Sequence, residues 1–173
     1  MLVQRKIFSE SDDKVCLFTY GSTGTANELA SGNNYEHISM ERDLRKADWG
    51  LCSHIQNTIQ ATDHEVDFMD ALIVTSTYLI NQINSINDKK EKKKISEGRR
   101  LIMVFSNLDN PVATDVAEMK DIIEGFKDNK IEIHFIGPNL SSAAVEDDNQ
   151  PGPSTGASNS SNGGILKRKQ IIK

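Results

Sequence analysis

The sequence predicts an α/β domain, and three observations carry that prediction. Across residues 66–86 the apolar side chains Phe68, Met69, Leu72, Ile73, Leu79, Ile80, Ile83 and Ile86 recur at steps of three and four. That spacing lays one continuous stripe along a long amphipathic helix. Before it, residues 14–40 are β-rich. After it come two short apolar runs, 101–105 and 131–136. A helical bundle is the competing reading, disfavoured because these runs are too short and too β-branched for helices. A stripe of this length must be buried, and a helix laid on one face of a sheet buries it.

Composition sets the bounds. The chain has 173 residues, 37% hydrophobic and 26% charged, with a net charge of -5, enough for one domain with a modest core and some tail. No apolar run approaches the ~18 residues of a membrane span, and no basic-then-apolar start marks a secretory signal. A soluble protein is expected, with no membrane partner. Cys16 falls in an expected strand and Cys52 in an expected helix. Two buried free thiols in a reducing compartment are favoured over a disulfide or a metal site.

In chain order, residues 1–8 carry Leu2, Val3, Ile7 and Phe8 at helical spacing, with no room for a cap before them. They read as the end of a helix. The polar break at 9–13 leads to KVCLFTY (14–20), a near-continuous apolar run of the kind found in strands covered on both faces. A loop rich in Gly and Asn follows, then YEHISM (35–40), which alternates as a strand does. The pair suits a hairpin with a generous loop. Residues 48–59 predict a short helix capped by Asp48, with Trp49, Cys52, Ile55 and Ile59 on one side and Trp49 as a core anchor.

Beyond the long helix, DKKEKKKISEGRR reads as a solvated linker, since its charges cannot be buried. The strand at 101–105 precedes Asn110 and Pro111, a cap and first-turn signal for an amphipathic helix carrying Val112, Val116, Met119, Ile123 and Phe126. Asn129 and Lys130 close that helix, and the last strand follows at 131–136. Strand, helix, strand with short connections is a crossover unit of a parallel sheet. Residues 139–164, rich in Ser, Gly, Pro and Asn, predict a disordered linker. Residues 165–173 read as the start of a following segment. A nuclear-import role for Lys167, Arg168 and Lys169 is the alternative.

Chemistry-bearing motifs are scarce. Gly21 to Thr25 follows a strand but lacks the lysine and glycine spacing of a phosphate loop. His37, His54, His64 and His134 are scattered, with no pair spaced for zinc and no serine at a nucleophile elbow. Asp63, Glu65, Asp67 and Asp70 crowd the start of the long helix, where carboxylates favour the positive end of the helix dipole. The lysines at 89–94, with Arg99 and Arg100, form the basic patch. No aromatic residues interleave it for base stacking, and a solvated crossing loop is favoured over a nucleic-acid contact.

Several stretches taken together resemble a family: FTYGSTGTANELASGNNYEHISM, DFMDALIVTS, LIMVFSNL and IEIHFIGP. They are similar to the N-terminal von Willebrand factor A-like domain of the larger subunit of Ku, the heterodimer that encircles broken DNA ends. The resemblance covers residues 1–138. It implies a three-layer, Rossmann-like fold with a mostly parallel sheet and an antiparallel edge strand. In this alignment residues 1–8 match the end of the first helix, so the first, central strand is expected to be lacking.

The resemblance also implies a function: double-strand break repair by nonhomologous end joining, and telomere maintenance, in the nucleus. The partners it implies are the smaller Ku subunit and DNA ends in the full-length family, and repair-factor peptides at this domain. The expected docking groove is formed by Leu29 and Tyr35 from the loop and strand, with Asp67 and Ile73 from the helix. Mutual packing of Leu29 and Ile73 is the plain alternative. Enzymatic activity and cofactors are not expected, and direct DNA binding by this chain should be weak. A metal-dependent ligand-binding A domain of an adhesion or scaffolding protein is the runner-up. Against it, Ser106, Asn107 and Leu108 place an amide where that lineage has a ligand carboxylate, so no metal site is expected. Without a central strand, the strands at 14–20 and 101–105 should face a gap, leaving a molten or aggregation-prone chain unless they close on each other or a partner donates a strand.

Overall fold

The computed structural model describes residues 2–110 and 112–137. Their elements follow the order α1 (Leu2–Phe8), β1 (Lys14–Tyr20), β2 (Ile38–Lys46), α2 (Trp49–Asn57), α3 (Phe68–Asn84), α4 (Lys89–Glu97), β3 (Arg100–Phe105), α5 (Val116–Asp128) and β4 (Ile131–Ile136). Pro111, the expected linker at 139–164 and the segment at 165–173 lie outside the described residues. No helix among those described is long and apolar enough to cross a membrane.

Helix α3 is the stripe read from the sequence, and it is buried on two sides. Met69 and Leu72 enter a core with Ile102 and Val104 of β3, Met119 and Phe126 of α5, and Ile131 of β4. Ala71 and Val74 enter a second core with Ile38, which is fully buried at the start of β2. Tyr20 packs against both cores. Asp67 caps the helix, its Oδ1 accepting the Met69 N–H at 2.9 Å.

The strands form two separate pairs. β1 and β2 are antiparallel, the expected hairpin, while β3 and β4 are parallel across α5, the expected crossover unit. No pairing joins β1 to β3 among the described residues. Between them lies a cleft of about 1820 Å³ lined by both strands and by α3. The anticipated gap is therefore present, and its two walls have not closed on each other. The α/β class and the mixture of parallel and antiparallel pairing are as expected, although the sheet stands in two halves.

Four local expectations need correction. Strand β2 begins at Ile38, because Tyr35 and His37 hold left-handed φ values of 55° and 58°, and it runs on through the charged residues to Lys46. Trp49 is not a core anchor. It is 54% exposed and forms a T-shaped ring pair with the exposed Phe8, at 5.5 Å between centroids, while Leu51 is the buried residue of α2. The lysine-rich stretch is helix α4, not a linker. Asp88 accepts the Lys90 N–H at 2.7 Å, and long unbranched charged side chains favour helix even where nothing is buried. Finally, α5 is capped by Asp115, not Asn110; its Oδ1 takes the Ala117 and Glu118 N–H groups at 2.8 Å each, and Val112 packs on the core ahead of the helix.

Other details agree with the sequence. Asp48 caps α2, accepting the Leu51 N–H at 2.7 Å, and Asn129 ends α5 with Lys130 left-handed behind it. Cys16 and Cys52 are free thiols, half-buried rather than fully buried, and burial pushes Cys16 up to about 11.

Candidate docking site

The loop between β1 and β2 is held by side-chain hydrogen bonds to backbone, which is why it can keep a compact shape with little regular structure. Gly21, at φ 69°, lets the chain leave β1 in a direction that a Cβ would block, since one placed there would lie 2.8 Å from the His64 carbonyl. Thr62 donates its hydroxyl to the Gly21 carbonyl. Ser22 and Ser39 both donate to the Gly24 carbonyl, at 2.7 and 3.0 Å. Ala26 then bridges the outer edge of β2, giving its N–H to Ile38 and taking the Met40 N–H. No helix follows Gly21 to Thr25, so the loop lacks the dipole that a phosphate cradle uses.

Asn27 is the staple of this loop. Its Nδ2 donates to the carbonyls of Tyr35 (2.9 Å) and Ile38 (2.8 Å), and its Oδ1 accepts the Leu29 N–H (3.0 Å). One side chain thus fixes both loop residues expected in the groove. A left-handed backbone is uncommon for residues as bulky as Tyr35 and His37 and persists where the surroundings over-determine it. Besides the Asn27 bond, the Thr25 hydroxyl accepts the His37 N–H at 2.9 Å, and the His37 ring stacks on His64 at 4.0 Å.

The four expected groove residues come together in part. Leu29 and Tyr35, both half-buried, pack on the core formed by Ile38 with Ala71 and Val74 of α3. Val66 joins the same core, which places Asp67 beside it at the start of α3. Ile73 is half-buried on α3 and belongs to neither core. Next to Leu29 a small cavity of about 20 Å³, also lined by Phe18, Asn27, Met40, Val74 and Tyr78, has room for about one water molecule.

The rim is acidic. Asp67 Oδ2 accepts from the N–H groups of Ala113 (2.7 Å) and Thr114 (3.1 Å) and from the Thr114 hydroxyl (3.1 Å). One helical turn on, the Asp70 carboxyl is raised above its ordinary value by burial first, then by the charges of Asp67 and Glu118. Three carboxylates therefore share one end of α3, which favours a cationic ligand group over an anionic one. Asn107, in the position discussed for a metal ligand, spends its side chain on its own turn, donating to Asp109 at 2.7 Å. Sequence reasoning missed Asn27 and Thr114. Neither has a sequence signal beyond that of an ordinary turn residue, because their importance lies in which distant backbone groups they reach.

Comparison with known proteins agrees with this architecture. Residues 1–143 match the family described as the Ku70/Ku80 N-terminal alpha/beta domain. The chain is 34% identical over 138 residues to X-ray repair cross-complementing protein 5 of Xenopus laevis, covering 80% of this chain and 18% of that protein. It is 28% identical over 132 residues to the Arabidopsis thaliana protein named ATP-dependent DNA helicase 2 subunit KU80, covering 76% of this chain and 17% of the relative. The chain thus spans less than a fifth of the length of either.

Proposed function

From the premise that this chain belongs to the Ku70/Ku80 N-terminal alpha/beta domain family, we propose that it serves as a protein-docking module of a Ku large subunit. The process is repair of DNA double-strand breaks by nonhomologous end joining, with telomere maintenance as a second setting. The module performs no chemistry of its own and acts in the nucleus. In the complete polypeptide its partners are the smaller Ku subunit and DNA ends. At this domain they are short repair-factor peptides.

The observation that carries the docking role is the loop stapled by Asn27. It presents Leu29 and Tyr35 against α3, beside the carboxylates of Asp67 and Asp70. An apolar pocket with an acidic rim suits a short peptide that offers a basic residue and an aromatic or aliphatic anchor. Leu29 and Tyr35 form its apolar wall. Ile73, half-buried on the same helix, extends the apolar floor.

Titration calorimetry with a ten-residue peptide carrying two arginines and one tryptophan tests this reading. Tyr35→Ala should weaken binding by roughly tenfold or more, with the circular dichroism spectrum little changed, as expected when a contact residue loses its side chain. Unchanged affinity in Tyr35→Ala and in Leu29→Ala together would refute the groove.

A further inference from the structure

Helix α4 carries charge that the docking role does not use. Lys89, Lys90, Lys92, Lys93 and Lys94 are all exposed, and among its described side chains Ile95 alone is half-buried. A helix with so little buried opens locally with ease, above all in its last turn, where the Gly98 N–H closes on the Ile95 carbonyl at 3.1 Å. That turn holds Ser96. The serine is exposed, and its hydroxyl donates to the Lys93 carbonyl at 2.9 Å, a bond internal to the helix. Lys93 and Lys94 stand three and two residues before it, and Lys92 lies one turn away on the same side. Among the described serines and threonines, Ser96 alone has a cation at both of those preceding positions. Ser9 has Lys6 three residues before it, but Lys6 is paired with Asp13 at 2.5 Å, and Glu10 and Asp12 follow the serine.

Just past the helix, Arg100 reaches back to the same turn. Its Nη2 donates to the Ser96 carbonyl at 3.4 Å and its Nη1 to the Asn129 carbonyl. Its Nε is buried with no hydrogen-bond partner among the described residues. The contrast with Arg99 is plain. Both oxygens of Glu132 hold Arg99, at 2.6 to 3.0 Å, whereas the hydrogen bonds of Arg100 among the described residues go to carbonyls. A guanidinium with an unused donor, bonded to the backbone of an exposed serine, suits an anion carried by that serine.

We propose that Ser96 is a phosphorylation site for a serine kinase that reads basic residues ahead of its target, and that Lys92 and Arg100 receive the phosphate. Such a kinase recognises Lys93 and Lys94 by charge pattern once the last turn of α4 opens. Ser96 Oγ attacks the γ-phosphorus of ATP. The new O–P bond forms as the bond to the β,γ-bridging oxygen breaks, ADP leaves, and the hydroxyl proton passes to the catalytic aspartate of the kinase. The product carries about 1.5 to 2 negative charges at neutral pH. The dipole at the C-terminal end of a helix opposes them with only about half a charge, which the cations of Lys92, Lys93 and Arg100 outweigh. The modification therefore ties the end of α4 to the start of β3 and lowers the positive charge of the lysine face.

The test treats the full 173-residue chain with ATP and the catalytic subunit of cyclic-AMP-dependent kinase, a kinase of this class. Mass spectrometry should place the phosphate on Ser96, and Ser96→Ala should abolish most of the incorporation. Replacing both Lys93 and Lys94 by Ala, at exposed positions that the fold tolerates, should lower kcat/KM by roughly tenfold or more. Phosphorus NMR then follows the phosphoserine against pH. Its midpoint should lie about 0.5 pH lower in the chain than in a phosphopeptide of residues 88–98, which lacks Arg100, and Arg100→Gln should remove much of that difference. Phosphate mainly on Ser9 or elsewhere would overturn the proposal, as would a rate indifferent to the two lysines. A midpoint equal to that of the peptide, or one unmoved by Arg100→Gln, would overturn the assignment of Arg100 as receiver.

Discussion

Asp67 and Thr114 are joined by two hydrogen bonds to a single carboxylate oxygen, from the threonine N–H and from its hydroxyl, both at 3.1 Å, while the other oxygen caps α3. The residue expected at the rim of a groove is therefore also the tie between the start of α3 and the turn at 113–114. Asp67→Lys should cost roughly 2 to 4 kcal/mol from the lost cap and the lost charge-assisted bonds. Asp67→Asn should cost about half as much. Denaturant unfolding of both variants checks this, and a stability unchanged in Asp67→Lys would count against the tie. Any affinity lost in that variant has to be read against its stability.

The carboxyl of Asp70 is raised by burial and by its acidic neighbours, so the folded state binds its proton more tightly than the unfolded state does. Between the ordinary aspartate value of about 3.9 and the raised folded value, the folded state thus holds more protons, and stability falls as pH rises through that window. Above the window the destabilisation is fully present. Asp70→Asn should therefore be more stable than the parent at neutral pH and should flatten the pH dependence in that interval. Urea midpoints measured from pH 4 to 7.5 give the comparison, and a less stable variant at pH 7 would contradict the sign.

Tyr78 reaches from α3 to accept the Leu44 N–H through its hydroxyl at 3.0 Å. The pairing of β1 with β2 is irregular there: Leu17 faces Arg42 and Val15 faces Arg45, so β2 carries an extra residue and the ladder skips a group. Tyr78→Phe keeps the ring contact with Phe18, at 5.3 Å between centroids, and removes only the acceptor. The orphaned N–H should cost about 1 to 3 kcal/mol, and exchange at Leu44 should quicken more than at Ile38. Equal protection of Leu44 in both proteins would mean that another group satisfies it.

Direct binding of duplex ends should be weak. The chain carries a net charge of -5, and its densest run of lysines sits on the exposed helix α4, where Lys93 is partnered by Glu97 at 3.9 Å. A gel-shift titration on blunt duplex should show binding that fades steeply between 50 and 200 mM salt, as expected for a few phosphate contacts. A tight complex that requires a free end would refute this.

What was legible in the sequence follows from which interactions are local. The stripe of α3, the cap at Asp48 and the apolar runs of β1 and β4 each declare themselves within a few residues, because period, propensity and capping are properties of neighbours. The extension of β2 through ERDLRK was not legible. Its charged side chains are held by partners elsewhere in the chain, Glu41 by Thr19 and His54 and Arg42 by Asp48, while its backbone is committed to β1 and to Tyr78, and no apolar pattern announces any of this. Helix α4 was hidden for the opposite reason, since it has a strong local preference and no buried stripe to reveal it. Leu29, Tyr35 and Asp67 were reached by resemblance. The residues that position them, Asn27 and Thr114, act across 8 to 11 positions in one case and 47 in the other, and no local pattern encodes that reach.

Among the described residues the two cores meet in α3 and at Tyr20, with Met69 and Leu72 turned to one and Ala71 and Val74 to the other. A helix shared in this way makes cooperativity a property of a single element. Melting the β3, α5 and β4 half strips α3 of one lining yet leaves the hairpin half its other lining, and the converse holds as well. The domain should therefore open as two sub-global units whose exchange behaviour differs, with α3 protected longest because it is released only when both have gone. Substitutions on α3 then register in both units at once, whereas those in α5 or β2 register in one.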